Sequence, residues 1–191
     1  GDSIKKESKA YIRSNGTVPE GDAITAKPGN LPCQMLVHAV GLLRRFGNNG
    51  EEVKLRKVIL KCLELTDRNN YSSIAIPALG AGNSGYPTDR SVCTIINSIQ
   101  IYFKSKEDKF SNIKKIYFCD IEEKIVMAFI ECFRRNFGNR IEEIYGEKDL
   151  DIGNRKCREL SVEVRQGDIT QEKTDAIVSC ISESLNFNVG K

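Results

Sequence analysis

Tryptophan is absent from this 191-residue sequence, histidine occurs once and methionine twice. A lone His38 leaves no histidine pair and no His-based metal site within the chain. No CxxC occurs either, although there are seven cysteines: Cys33, Cys62, Cys93, Cys119, Cys132, Cys157 and Cys180. An odd, scattered set is neither a disulfide framework nor a zinc site, and it suits a reducing compartment such as the cytoplasm or nucleus. Several fall on apolar faces, where Cys acts as a small hydrophobe. Charge of one sign is scarce too. The 29 Lys and Arg exceed the 26 Asp and Glu by three, too small an excess to mark a nucleic-acid binder. The longest apolar stretches are about one strand long, far below the roughly 20 residues a membrane helix needs. The stretch from Gly1 to Lys6 lacks the apolar region of a signal peptide. What is present, 40% hydrophobic and 29% charged residues, describes one ordinary globular domain with chain to spare.

Apolar periodicity sets out the elements. A short helix is expected from Asp2 to about Ser14, with Asp2 or Ser3 as N-cap and Ile4, Tyr11 and Ile12 on its apolar side. A short strand is expected at 22–26, and Leu36-Val37-His38-Ala39-Val40 is a buried strand by length and composition. From about Glu51 to Thr66, Leu55, Val58, Ile59, Cys62, Leu63 and Thr66 form one helical stripe, with Glu51 and Glu52 suited to its positive N-terminus. Ser73-Ile74-Ala75-Ile76 makes the next strand. A third helix carries Val92, Ile95, Ile96, Ile99, Tyr102 and Phe103, with Pro87 at its start. Ile113 to Cys119 is a strand, and a helix from Ile121 to Phe137 stripes Ile121, Ile125, Ala128, Phe129, Cys132 and Phe133. This alternation means an α/β fold with a mostly parallel sheet covered on both faces.

The character changes after Gly138. Residues 138–157 are charged and glycine-bearing, a connector with one helical turn. Leu160-Ser161-Val162-Glu163-Val164 then alternates as a half-exposed strand does, and Ala176-Ile177-Val178-Ser179-Cys180-Ile181 is a buried strand. Residues 158–191 cannot form a domain alone. They are expected to complete the sheet begun in 1–137, within the chain or by exchange between chains.

Two segments carry chemistry. Gly80-Ala81-Gly82-Asn83-Ser84-Gly85 lies between a buried strand and a helix, with short side chains that leave backbone N–H groups bare. Such a loop can aim its donors at an anion, helped by the helix dipole. It is neither a P-loop nor a dinucleotide-type GxGxxG, and the alternative to anion binding is a tight crossover using glycine for positive φ. The second segment is Gly167-Asp168-Ile169-Thr170. Asp168 can accept from an amine while Ile169 offers an apolar edge, a way to read adenine. An Asx-type turn capping Thr170-Gln171-Glu172 is the simpler account of an isolated motif.

Together these residues resemble the macrodomain, the ADP-ribose-binding α/β module with a three-layer α/β/α architecture. Gly167-Asp168-Ile169-Thr170 and Thr174-Asp175-Ala176-Ile177-Val178 look like its opening strands. Leu31-Pro32-Cys33 with Val37-His38-Ala39-Val40-Gly41 looks like its central strand, and Ser73 through Pro87 like its phosphate loop. The nearest flavour is the tandem macrodomains of multi-macrodomain mono-ADP-ribosyltransferases. The family's opening strands stand last here, as in a tandem fragment or a circular permutant. The resemblance implies that Asp168 and Ile169 contact adenine. It implies that Gly80, Ala81, Gly82, Asn83 and Ser84 wrap the phosphates, with Gly85 permitting the turn, and that Cys119 and Asp120 lie beside the adenine and its ribose. Ser182, Val189 and Gly190 would line the first phosphate loop. Tyr86 is a candidate for the aromatic beside the distal ribose, since Ser84 stands where that aromatic commonly sits.

Hydrolytic members carry two asparagines where this chain has Ser179 and Ser182. The resemblance therefore implies a binder of ADP-ribose or of mono-ADP-ribosylated proteins, without catalysis, cofactor or metal, within a parent protein that is itself of the transferase type. The rival readings are an ADP-ribosyl hydrolase and a degenerate module that serves as an RNA- or protein-interaction scaffold. Nucleic acid is disfavoured as a partner by the charge balance, and no membrane partner is expected. His38 reads as a core histidine rather than a base. Cys180 reads as a buried thiol, and Arg44 and Arg45 as solvated loop charges.

Overall fold

The computed structural model describes residues 2–40, 50–82, 85–106, 111–137 and 160–182. The expected connector at 138–157, its helical turn, and Arg44 and Arg45 lie outside them. In chain order the elements are α1 (Asp2–Asn15), β1 (Ala23–Ala26), β2 (Met35–Val40), α2 (Glu51–Arg68), β3 (Ser73–Ile76), α3 (Thr88–Lys104), β4 (Lys115–Asp120), α4 (Glu123–Phe137), β5 (Ser161–Gln166) and β6 (Ala176–Ile181).

The strands form one six-stranded sheet in the order β1-β2-β6-β3-β4-β5. Among the described residues only β1 runs antiparallel, against β2. β6 lies between β2 and β3, with Met35 opposite Ala176, Val40 opposite Ile181 and Ile74 opposite Ala176. β5 closes the far edge against β4, from Lys115 opposite Ser161 to Asp120 opposite Gln166. One face packs against α2, α3 and α4 through Leu55, Ile59, Ile95, Phe118, Phe129 and Val178. The other face meets α1 through Ile4, Leu36, Ala75, Tyr117 and Ile177. The molecule is thus a three-layer α/β/α structure. Every residue of β2 is buried, as a strand covered on both faces requires. Gly16 ends α1 with φ +78, its N–H donating to the Ile12 carbonyl at 2.9 Å.

Three local readings need correction. Asp2 and Ser3 fall inside α1 rather than ahead of it. α4 starts at Glu123, because the Asp120 carboxylate accepts the Glu122 N–H at 3.0 Å and holds 121–122 as a bend. Ile121 is consequently 69% exposed, although its spacing matches the buried stripe. Cys180 is exposed rather than buried, for β3 pairs β6 only at Ala176 and Ile177, leaving the end of β6 flanked by β2 alone on that ladder.

Asp175 fastens β6 into place. Its Oδ1 accepts from Gln34 Nε2 at 2.6 Å, and its Oδ2 from the N–H and hydroxyl groups of Ser72 and Ser73 at 2.8–3.0 Å. Its carbonyl takes the N–H groups of Gln34 and Met35, both at 2.9 Å. One residue thereby ties the starts of β2, β3 and β6 together. Burial pushes its carboxyl pKa up, but the donors from Ser72, Ser73 and Gln34 outweigh this and hold it below the usual range.

Candidate functional site at the carboxyl edge of the sheet

Parallel strands end on the same side, so their carboxyl ends bring sequence-distant loops together. The loop 77–87 follows β3, Cys119 and Asp120 finish β4, Gly167-Asp168-Ile169 follows β5, and Ser182 follows β6. Asn83, Ser84, Val189 and Gly190 lie outside the described residues.

The described part of the glycine loop is tightly built. Gly80 and Gly85 hold φ values of +86 and +67, in the region where a side chain is strained. The Ala81 N–H donates to Ala78 O at 3.1 Å, Gly85 N–H to Gly82 O at 2.9 Å, and Tyr86 N–H to Gly80 O at 3.1 Å. Ser91, in the first turn of α3, donates its hydroxyl to Leu79 O at 2.7 Å. A Cβ built on Gly82 meets nothing within 4 Å, so the loop is open on that side. The described part of the loop is therefore a tight crossover leading into the N-terminus of α3. Tyr86 does not face it: the ring is buried in the core and its hydroxyl bonds Thr94, which corrects the expectation of an aromatic beside a ligand.

The end of β4 bridges this loop to the aspartate motif. Ala78 N–H bonds the Asp120 carboxyl, and Gly167 N–H donates to Asp120 O at 2.9 Å. Burial lifts the Asp120 carboxyl pKa above the usual range, against the pull of the backbone donors. Cys119 is 1% exposed; its thiol donates to Gly167 O at 3.4 Å and lies 3.6 Å from Glu172 Oε1. Burial and the neighbouring Glu172 push that thiol up to about 12, so it stays protonated and acts from beneath the motif.

Asp168 is exposed and caps a single 3-10 turn over Ile169–Gln171, its Oδ1 accepting Thr170 N–H at 2.9 Å. That contact with Thr170 holds the carboxylate pKa below the usual range, so it is an ionised acceptor at neutral pH. The Asx-type turn is present, and it presents the carboxylate at the edge. Ile169 is half-buried against the Ile4, Leu36 and Tyr117 cluster. Beside it stands a charged group that motif reading missed: Arg165 lies 4.3 Å from the Tyr117 ring centre and pairs with Glu163 and Glu172 at 2.6 and 2.8 Å. The alternation of β5 was the available signal, since it puts Glu163 and Arg165 on one face.

His38 is fully buried, its Nε2 3.5 Å from Ser8 Oγ, and burial lowers its pKa to about 4, leaving it neutral. Among the described residues no cluster of three His, Cys, Asp or Glu is placed to hold a metal. No helix among them is long and apolar enough to cross a membrane. A shallow hollow of about 390 Å³, lined by Leu31, Cys33, Gln34, Ser73, Lys173 and Thr174, lies at the opposite, amino edge beside Asp175.

A family model described as Macro domain matches residues 1–95. The chain is 34% identical over 189 residues to the human protein mono-ADP-ribosyltransferase PARP14, covering 91% of this chain and 10% of that protein. It is 28% identical over 183 residues to the mouse protein mono-ADP-ribosyltransferase PARP9, covering 92% of this chain and 21% of that protein. The chain thus spans a tenth to about a fifth of the length of these two relatives. A mutant of the Oceanobacillus iheyensis macrodomain, solved with ADPR, superimposes with a TM-score of 0.58 at 21% identity, covering 70% of this chain and 75% of that one.

Proposed function

Because the chain belongs to the macro domain family, we propose that it is an ADP-ribose-binding module that recognises free ADP-ribose or mono-ADP-ribosylated proteins and does not catalyse removal of the group. The observation that carries this reading is the convergence of the Gly80–Gly85 loop and the Asp168-Ile169 turn on one sheet edge, joined through Asp120. A diphosphate would take backbone N–H donors of the loop other than those of Ala81, Gly85 and Tyr86, which are bonded within it, together with the positive end of α3. An adenine amine would donate to Asp168, whose ionised carboxylate only accepts, while Ile169 covers the ring edge.

Ser179 and Ser182, standing where hydrolytic members of the family carry asparagines, support binding over hydrolysis. So does His38, which is buried and neutral and cannot serve as a base at the edge. The free thiols of Cys33, Cys62, Cys93, Cys119 and Cys132 support a reducing compartment, cytoplasm or nucleus, and the two long relatives support a place within a larger ADP-ribosyltransferase-type protein.

The test is calorimetric titration of the folded chain with ADP-ribose, with ADP and AMP as controls. Micromolar or tighter binding of ADP-ribose is expected. The reading fails if the folded chain gives neither heat nor a thermal shift, and salt-sensitive RNA binding in that case would point to the scaffold reading instead. Release of ADP-ribose from a modified protein by catalytic amounts of the chain would overturn the non-catalytic part alone.

A further inference from the structure

Two thiols meet between α3 and α4, on the face of the sheet away from α1. Cys93 stands in the second turn of α3 and Cys132 in the latter half of α4, and their sulfurs lie 2.7 Å apart. The placement follows from the helical stripes. Cys132 falls three residues after Phe129 on the buried side of α4 and is 1% exposed, whereas Cys93 follows the buried Val92 and is half-buried. The pair therefore has one sulfur shut in the core and one toward its margin. Cysteines in a reducing compartment ordinarily pack as small hydrophobes, but that role does not require two sulfurs to touch.

A third side chain is turned onto the pair. Asn136, one helical turn beyond Cys132, donates from Nδ2 to the Cys132 carbonyl at 2.7 Å and to its sulfur at 3.3 Å. Burial and the Cys93 thiol push the Cys132 thiol up to about 12, against the Arg135 charge and the Asn136 donor, which favour its ionised form. Cys132 is thus protonated at neutral pH, and Cys93 is the more exposed of the two sulfurs.

We propose that Cys93 and Cys132 form an oxidation site, a dithiol that hydrogen peroxide converts reversibly to a disulfide linking α3 to α4. The Cys93 thiolate attacks one peroxide oxygen. The O–O bond breaks, a sulfenic acid forms on Cys93, and the departing hydroxide takes up the thiol's proton and leaves as water. The Cys132 sulfur then attacks the Cys93 sulfur as its own proton departs. The S–O bond breaks, the S–S bond forms, and the second hydroxide leaves with that proton as water. Two thiols and one peroxide thereby give one disulfide and two waters, the sulfurs supplying the two electrons. A small thiol such as glutathione reopens the bridge by exchange, so the pair stays reduced in a reducing compartment and closes when peroxide rises. The bridge spans 39 positions and ties two helices of one layer. Cys93 lies two residues past Ser91, whose hydroxyl holds Leu79 O, so the tie also fixes the turn of α3 that supports the glycine loop.

The test is peptide mass spectrometry of the full chain, reduced, treated with hydrogen peroxide, then quenched in acid denaturant and alkylated. A disulfide-linked pair of peptides carrying Cys93 and Cys132 is expected. The oxidised chain should melt about 5–10 °C above the reduced chain, the rise expected for a cross-link of this span, and dithiothreitol should remove the rise. Cys93→Ser, a change at the half-buried member that leaves the core sulfur in place, should show neither link nor rise. Full alkylation of both thiols after peroxide, linkage of either to another cysteine or another chain, or a sulfinic acid on Cys93 without a link would each overturn the proposal. A link with no rise in Tm would overturn the tie between the helices. ADP-ribose enters none of these readouts, so the oxidation site and the binding reading fail separately.

Discussion

Asp168 and Asp175 lie seven residues apart on one segment, at opposite edges of the same sheet. Asp175 receives five donors on its two carboxylate oxygens and ties three strands together. Asp168 is exposed and accepts from Thr170 within its own turn. Both carboxyl pKa values are held below the usual range, by hydrogen bonds in each case. The shift is the same in direction and the roles are opposite. A carboxylate whose acceptor sites are filled by donors from two other strands is fastening the fold, whereas one bonded only within its own exposed turn is presented to solvent and to whatever arrives there. Direction of a pKa shift does not separate structure from recognition; the origin of the donors does.

The strongest way to break the comparison is on the structural side. Val178→Asp places a charge in a 1% exposed position of the central strand and should cost about 5 kcal/mol, enough to abolish the cooperative thermal transition. Asp175→Ala should come next. It removes a charge-assisted cluster at a partly exposed edge and should lower stability by about 2 kcal/mol, read from the urea midpoint. The same variant sharpens the pH dependence. A depressed folded-state pKa means the Asp175 contribution is complete above the unfolded value of about 3.9 and is lost as pH falls through the folded value. Wild type should therefore lose stability below about pH 4 more steeply than Asp175→Ala, and equal slopes would remove the fastening role.

Gly80→Ala tests the carboxyl edge more gently. With φ at +86, the added Cβ should cost about 1 kcal/mol in thermal stability and weaken ADP-ribose binding, because the loop's donors are set by that turn. A variant as stable and as tight as wild type would show that the turn does not need glycine. The smallest effect on stability belongs to Asp168→Ala. Losing an exposed cap on a single 3-10 turn should change stability by less than about 1 kcal/mol, and a thermal melt checks it.

Much of this fold is legible from spacing. The β2 run and the α2 and α3 stripes each occupy the buried faces their periodicity requires. The glycine loop stands out because three glycines between a strand and a helix are a local feature. What is not legible depends on distant partners. Ile121 fits the i, i+4 stripe with Ile125, yet the carboxylate one residue earlier accepts the Glu122 N–H and the helix begins only at Glu123. Cys180 sits in an apolar run, but its burial depends on where β3 stops pairing, about a hundred residues away in sequence. Asp175 enters the sequence reading only as part of the segment that resembles an opening strand, and its fastening role is not legible there because its donors are 102–141 positions distant. At the candidate site, Asp168 and the loop were each visible singly, and it is the β4–β5 pairing that puts them on one edge.

The most direct measurement is a calorimetric titration of ADP-ribose into wild type and Asp168→Ala at matched, verified fold. The account predicts micromolar or tighter binding by wild type and an affinity at least about tenfold weaker in the variant, the loss expected for one hydrogen bond to a charged acceptor, with little change in Tm. Equal affinities in the two proteins, or no heat from folded wild type, would contradict it.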